Sequence, residues 1–164
     1  MIRPEFVLWK GERMILKKEL VQIGLDCPDA DSTLREAARA FVDNGYAKDE
    51  YPQAIIDREK VYPTALPGAA FDIAMPHCDA KYVNKTGVAV ITLKNPVEMK
   101  MMGDPDTTLH PKMLFMLGIA DPHGQVEMLQ RLIAVIQDAD LLNQAYACQD
   151  VDALYDLMAP KLGD

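Results

Sequence analysis

Hydrophobic residues along the chain fall into short runs that are typical of β-strands. Residues 112–119 are almost all apolar, as expected for a central strand buried on both faces. Residues 86–93 are rich in valine, isoleucine and threonine, and residues 97–101 alternate between apolar and charged side chains, the pattern of a half-buried strand. A shorter apolar run at residues 71–75 predicts another strand. Residues 103–106 read Gly-Asp-Pro-Asp and predict a turn.

The first half of the chain also contains two segments with the 3.6-residue period of amphipathic helices. The first is predicted to start near Ser32, where Thr33 and Glu36 have the spacing of a capping box. The second is predicted over residues 50–60, which places Arg58 in its last turn. Arg58 is therefore expected close to the loop that leads into the strand at residues 71–75.

Three helices are predicted at the end of the chain, the first of them after Pro122. This helix is expected to bury one face, formed by Val126, Leu129, Leu132, Ile133 and Ile136. Two further helices cover residues 138–147 and 150–158. The order of elements predicts an α/β fold with a single mixed β-sheet flanked by helices on both faces. Residues 1–164 are expected to form one domain, in which residues 1–19 are an N-terminal extension of undetermined structure.

Composition and charge exclude several classes of function. The formal net charge is −8, which argues against nucleic-acid binding and is compatible with docking a basic face of a partner protein. No apolar run approaches the roughly 20 residues needed to cross a bilayer, and the first residues lack the apolar core of a signal peptide. Three widely spaced cysteines without a Cys-x-x-Cys pair predict a reduced, cytoplasmic protein.

The most informative chemistry lies where the run at residues 71–75 ends at Pro76 and His77. Proline has a fixed φ and no N–H, so it stops the strand and places His77 on a rigid bend. A neutral imidazole can attack phosphorus with one ring nitrogen while the other donates its proton to an acceptor, either a backbone carbonyl or a carboxylate. The planar guanidinium of Arg58 suits phosphoryl oxygens. Together the two residues suggest phosphoryl transfer through a phosphohistidine.

These segments resemble the fructose/mannitol-type EIIA components of the bacterial sugar phosphotransferase system (type-2 EIIA). The family has an Arg-Glu pair at a helix end, a Pro-Thr-Gly-Leu-like turn and an Ile-Ala-Ile-Pro-His segment. This chain has Arg58-Glu59, then Pro-Thr-Ala-Leu at residues 63–66 and Ile-Ala-Met-Pro-His at residues 73–77. Cys-Asp-Ala at residues 78–80 and Tyr-Pro-Gln-Ala at residues 51–54 are similar to the galactitol-specific branch.

The resemblance implies a function for the chain and a set of partners. His77 would accept phosphate from the histidine of HPr and pass it to a cysteine of a cognate EIIB, and the EIIC membrane permease would use it to modify a polyol during uptake. Neither a cofactor nor a metal is expected. The alternative is a regulatory EIIA-like domain in which phosphorylation of His77 controls a partner protein. A metal-binding protein is a third class, but no pair of ligands has a standard zinc spacing.

The resemblance also implies assistance from a second residue at the start of a helix, which is a histidine in many members of the family. Alignment of the apolar pattern puts Gln125 at that position, while His123 lies two residues earlier, and either is a candidate partner of His77. Glu59 is a possible orienter of Arg58. Cys78 directly follows His77, so its side chain is expected to point away from the histidine and to be buried.

Overall fold

The structure is a computed structural model, and it describes residues 16–121 and 125–163, apart from the side chain of Gln125. Five α-helices are described: α1 (Ala30–Asp43), α2 (Tyr51–Val61), α3 (Gln125–Ile136), α4 (Ala139–Ala147) and α5 (Val151–Met158). The strands are β1 (Gln22–Leu25), β2 (Ala65–Pro67), β3 (Asp72–Ala74), β4 (Gly87–Leu93), β5 (Met99–Met101), β6 (Asp104–Leu109) and β7 (Met113–Gly118). None of these helices has the length and apolar character needed to span a bilayer.

The strands form one mixed sheet with the order β1-β4-β7-β3-β2-β5-β6. Strands β4 and β7 are the second and third strands in this order; they pair antiparallel and are buried along their whole length. Strand β3 runs parallel to β7, so the carboxyl ends of both strands lie at the same end of the sheet. This arrangement confirms the α/β fold class and the single mixed sheet, and it brings the segment after β3, which carries His77, beside the end of β7.

Helices cover both faces of the sheet, as predicted. Side chains alternate along β4, so that Val88 and Val90 pack on one side of the sheet and Ala89 and Ile91 pack on the other. The first side is covered by α3, α4 and α5, and the second by α1 and α2. Because α2 and the end of β3 share the second side, Arg58 in the last turn of α2 is near the segment that follows β3.

Three details differ from the sequence predictions. The predicted turn at residues 103–106 is wrong beyond Gly103, because β6 begins at Asp104. This strand lies at the edge of the sheet, where Pro105 is tolerated since one side of the strand needs no ladder donors. Strand β2 was not predicted either. Helix α1 starts at Ala30, two residues early, because Asp29 and Ser32 form the capping box in place of Thr33 and Glu36.

The predicted buried face of α3 is partly wrong. Val126 is 64% exposed and Ile133 is 42% exposed, whereas Leu132 and Ile136 are buried as expected. The buried stripe also includes Met128 and Val135, so it follows the i, i+4, i+7, i+8 spacing that starts at Met128. The predicted stripe and the observed stripe both have a helical period. Which of them is buried depends on how α3 packs against the neighbouring helices and the sheet, and the sequence does not reveal that packing.

The N-terminal prediction falls partly outside the described residues. Residues 1–15 lie outside them, whereas Leu16 and Leu20 are buried. Leu16 forms a parallel bridge with Val88, and a short 3-10 helix, Lys18–Leu20, leads into β1. Leu16, which lies within the predicted extension, therefore packs in the hydrophobic core.

Candidate functional site

The backbone that carries His77 is fixed from two sides. The N–H of Met75 donates to the carbonyl of Thr64 at 3.2 Å, and the carbonyl of Pro76 accepts from the N–H of Leu117 at 3.0 Å. Leu117 is held in turn by the buried Tyr51 hydroxyl, which donates to its carbonyl at 2.7 Å. The bend predicted from Pro76 is thus tied to the ends of β2 and β7, and His77 follows it on a constrained stretch of chain.

The imidazole of His77 is oriented by a backbone carbonyl. Its Nδ1 lies 2.8 Å from the carbonyl oxygen of Met75. A carbonyl only accepts hydrogen bonds, so Nδ1 carries the proton and Nε2 carries the lone pair when the ring is neutral. Of the two acceptors that the sequence left open, the structure therefore has the carbonyl.

Burial of His77 lowers the pKa of its imidazole, and the nearby positive charge of Arg58 lowers it further, although the Met75 hydrogen bond acts in the opposite direction. The ordinary value is 6.5, so a lowered pKa leaves the ring neutral at neutral pH. Only the neutral ring has a lone pair on Nε2 that can attack an electrophile. The site therefore combines a neutral imidazole with a neighbouring cation.

Arg58 is half-buried in the last turn of α2, and its guanidinium carbon lies 5.1 Å from the ring centroid of Tyr62. This contact holds the guanidinium on an exposed aromatic ring just beyond the helix. A surface cleft of about 300 Å³ opens beside it. The residues that line this cleft are Ala54, Asp57, Arg58, Val61, Tyr62, Cys78, Asp79 and Tyr82.

Glu59 contacts the loop after α2. One carboxylate oxygen accepts from the backbone N–H of Thr64 at 2.8 Å, and the other accepts from the Thr64 hydroxyl at 2.9 Å. Burial raises the pKa of this carboxyl, while both Thr64 hydrogen bonds and the charge of Arg58 lower it. The sequence suggested that Glu59 orients Arg58; in the structure, the contacts of its carboxylate are with Thr64.

Cys78 is buried, as predicted, with 4% of its surface exposed. It packs in the apolar cluster between the sheet and helices α1 and α2. Burial raises the pKa of its thiol to about 12, with Asp79 adding to the effect and Arg58 opposing it. A thiol with such a pKa is protonated at neutral pH and is a poor nucleophile.

Two predicted site residues have no described side chain. His123 lies outside the described residues, and Gln125 is the first residue of α3, with its side chain also outside them. The segment that leads to α3 leaves β7 at its carboxyl end, and this is the end of the sheet where His77 follows β3. The choice between Gln125 and His123 as the partner of His77 therefore stays a prediction.

Some contributors to the site were not predicted from the sequence. His77 is hydrogen-bonded to the Met75 carbonyl, and Glu59 is hydrogen-bonded to Thr64. The guanidinium of Arg58 lies over the ring of Tyr62. A backbone carbonyl has no signature in the sequence, but Tyr62, an aromatic residue one helical turn after Arg58, was a visible signal. Within residues 16–121 and 125–163, no cluster of three or more metal-ligating side chains could hold an ion.

Comparison with known proteins identifies the family. Residues 14–160 match the model of the phosphoenolpyruvate-dependent sugar phosphotransferase system EIIA 2 family, and the chain belongs to that family. It is thus a phosphotransferase component, a phosphocarrier of the sugar phosphotransferase system. The match ends at residue 160, two residues beyond the end of α5.

Individual relatives agree with this assignment. The galactitol-specific EIIA component of Escherichia coli K12 is 25% identical over 122 residues, covering 74% of this chain and 81% of the relative. The mannitol-specific EIICBA component of the same strain is 28% identical over 148 residues, covering 88% of this chain and 22% of the relative. The solution structure of the Escherichia coli mannitol IIA in complex with phosphorylated mannitol IIB has a TM-score of 0.71 and 26% identity, covering 88% of this chain and 97% of the matched one.

Similarity extends to transcriptional regulators. The regulator ManR of Bacillus subtilis is 32% identical over 65 residues, which is 40% of this chain and 10% of the regulator. This similarity bears on the regulatory alternative, as does the similarity to the probable licABCH operon regulator of the same species, which is 24% identical over 149 residues and covers 90% of this chain.

Proposed function

We propose that His77 is the phosphoryl acceptor of this phosphocarrier. It takes a phosphoryl group from phospho-HPr on Nε2 and passes it to the cysteine of a cognate EIIB. The observation that carries this proposal is the 2.8 Å contact between His77 Nδ1 and the Met75 carbonyl, which leaves the lone pair on Nε2. Burial and the charge of Arg58 support the same assignment, since both lower the pKa of the ring and keep it neutral.

The transfer balances without loss of a proton from His77. The Nε2 lone pair forms the new N–P bond while the N–P bond of phospho-HPr breaks, and the electron pair of that bond stays with the histidine of HPr. His77 keeps its Nδ1 proton, so the phosphorylated ring is cationic and its hydrogen bond to the Met75 carbonyl becomes charge-assisted. When the EIIB thiolate attacks phosphorus, the N–P pair returns to Nε2 and restores the neutral ring.

Arg58 is proposed to bind the phosphoryl oxygens during both transfers. Phosphoryl transfer depends mainly on positioning and on compensation of charge, and a planar guanidinium can contact two oxygens at once. Its contact with the Tyr62 ring, at 5.1 Å, restricts the directions that the guanidinium can take. Gln125 or His123 would supply a further donor from the start of α3.

Docking of HPr and EIIB is proposed at the cleft beside Arg58. Val61 and Tyr62 are 66% and 63% exposed there and form an apolar rim that can exclude water from the reacting atoms. Asp57 and Asp79 line the same cleft, and together with the net charge of −8 they favour partners with basic faces. The mannitol IIA–IIB complex, whose IIA is similar in fold and sequence, supports an EIIB as one of these partners.

The transported substrate is proposed to be a galactitol-like polyol, handled in the membrane by the EIIC permease. The galactitol-specific relative and the two motifs shared with that branch support this assignment. The chain itself would act in the cytoplasm and would not need to touch the polyol. The test is transfer from phosphorylated protein to galactitol-, mannitol- and fructose-class EIIB, with fastest transfer expected to the galactitol class. Equal rates to all three would refute the substrate assignment.

The residue assignment is tested with phospho-HPr as the donor. His77→Gln is expected to keep the fold and lose all acid-labile labelling, whereas His110→Gln, which removes an exposed histidine before β7, is expected to label fully. Full labelling of His77→Gln would overturn the proposal. The regulatory alternative, which the similarity to ManR favours, predicts labelling of His77 followed by no transfer to any EIIB.

A further inference from the structure

The proposed transfer leaves one partly buried carboxylate beside the site without a role. Glu59 follows Arg58 at the end of α2, and a carboxylate close to a phosphoryl group would repel it. Both of its oxygens are directed to Thr64, which is 2% exposed, with contacts of 2.8 Å to the backbone N–H and 2.9 Å to the hydroxyl. Two hydrogen bonds to one residue fix both the position and the orientation of Thr64.

Thr64 connects this carboxylate to the segment that carries His77. It directly precedes β2, whose Ala65 is paired with Ala74 of β3. Its carbonyl accepts from the N–H of Met75 at 3.2 Å, which extends the ladder between the two strands by one residue pair. The same residue, Met75, offers its carbonyl to His77 Nδ1 at 2.8 Å.

A continuous path of hydrogen bonds therefore runs from the Glu59 carboxylate to the His77 ring. We propose that Glu59 is a positioning residue that acts through Thr64 and Met75: it holds the Met75 carbonyl where Nδ1 of His77 must donate its proton, and it so keeps the lone pair on Nε2. This inference rests on the proposed role of His77. It assigns Glu59 to the orientation of the nucleophile and not to the orientation of Arg58.

The tautomer of His77 distinguishes a positioning role of Glu59 from a purely structural one, because a loss of stability alone would not change the tautomer. The ¹⁵N chemical shifts of the two ring nitrogens, measured by NMR on the unphosphorylated protein, report which nitrogen holds the proton. The original protein is expected to show the Nδ1–H form. Glu59→Ala is expected to mix this form with the Nε2–H form and to lower the rate of transfer from phospho-HPr about tenfold. Thr64→Val, which removes only the hydroxyl contact, is expected to give a smaller change in the same direction.

Conservative and matched variants separate positioning from lost stability. Glu59→Gln should recover most of the rate, because its amide oxygen can accept from the Thr64 N–H while its amide nitrogen donates to the hydroxyl. Ile56→Val weakens packing at a buried position of the same helix without touching the hydrogen-bonded path, and it should leave the tautomer unchanged. A shifted tautomer in Ile56→Val would mean that loss of packing alone explains the effect, and it would overturn the proposal.

A double-mutant cycle identifies the residue through which Glu59 acts. The double variant Glu59→Ala/Thr64→Val should slow transfer by less than the product of the two single slowing factors, because both substitutions disturb one path. With Arg58→Lys, the two effects should multiply. The reverse pattern, or an unchanged tautomer in Glu59→Ala, would overturn the proposal. The tautomer experiment needs no phosphate, so it stands even where phospho-HPr fails to label His77, a result that would refute only the proposed function.

Discussion

Replacement of Arg58 by lysine is the substitution that tests most sharply how the site stabilises the phosphoryl group. Lysine keeps the positive charge but loses the planar fork of the guanidinium, whose carbon lies 5.1 Å from the Tyr62 ring centroid. If Arg58 binds the phosphoryl group as proposed, one charge-assisted hydrogen bond is lost, which corresponds to about 1–3 kcal/mol. That range is a slowing of transfer by about 5- to 150-fold.

The half-exposed position of Arg58 places the lysine variant near the lower end of this range, because solvent screens part of the interaction. Arg58→Ala removes the charge as well and is expected near the upper end. Rates are measured by quenched flow with phospho-HPr as the donor in a single turnover. Lys60→Gln is the matched control, since it removes an exposed cation from the same helix, one that lies 3.8 Å from Asp31. Unchanged rates in both Arg58 variants would show that this arginine is only a helix-end residue.

Two further predictions concern the residues around His77. An NMR titration of the His77 ring should have its midpoint below the ordinary value of 6.5, and Arg58→Ala should raise that midpoint because it removes a cation that disfavours protonation; a midpoint at or above 6.5 in the original protein would contradict the burial argument. Gln125→Ala should slow transfer from phospho-HPr more than His123→Ala if Gln125 takes the place of the second histidine, and the opposite ranking would mean that the alignment is wrong by two residues.

The two fully buried strands, β4 and β7, were predictable from the sequence. The edge strand β6 and the buried face of α3 were less so. Strands β4 and β7 are continuous apolar runs, and such runs have few alternatives in a domain of this size. Strand β6 begins with Asp104, Pro105 and Asp106, residues that usually indicate a turn, and only its place at the sheet edge makes them acceptable. The buried face of α3 was only partly predictable, because two stripes with a helical period overlap on that helix.

For the site, residue types predicted more than residue contacts. Pro76, His77 and Arg58 have distinctive chemistry, and their order along the chain was enough to suggest phosphoryl transfer. The partner of His77 is a backbone carbonyl, which every residue possesses, so the sequence could offer this kind of acceptor but could not single out Met75. The link between Glu59 and Thr64 also depends on how the loop after α2 folds back, and adjacency to Arg58 suggested a different partner.

The central claim is that Nε2 of His77 receives the phosphoryl group while Nδ1 keeps its proton. It is tested most directly by NMR of the ¹⁵N-labelled protein after incubation with phospho-HPr, with coupling to ³¹P used to identify the phosphorylated nitrogen. The hydrogen bond from Nδ1 to the Met75 carbonyl predicts that phosphorus is coupled to Nε2 of His77. Phosphorus bound to Nδ1 of that ring, or to any other residue, would contradict the account.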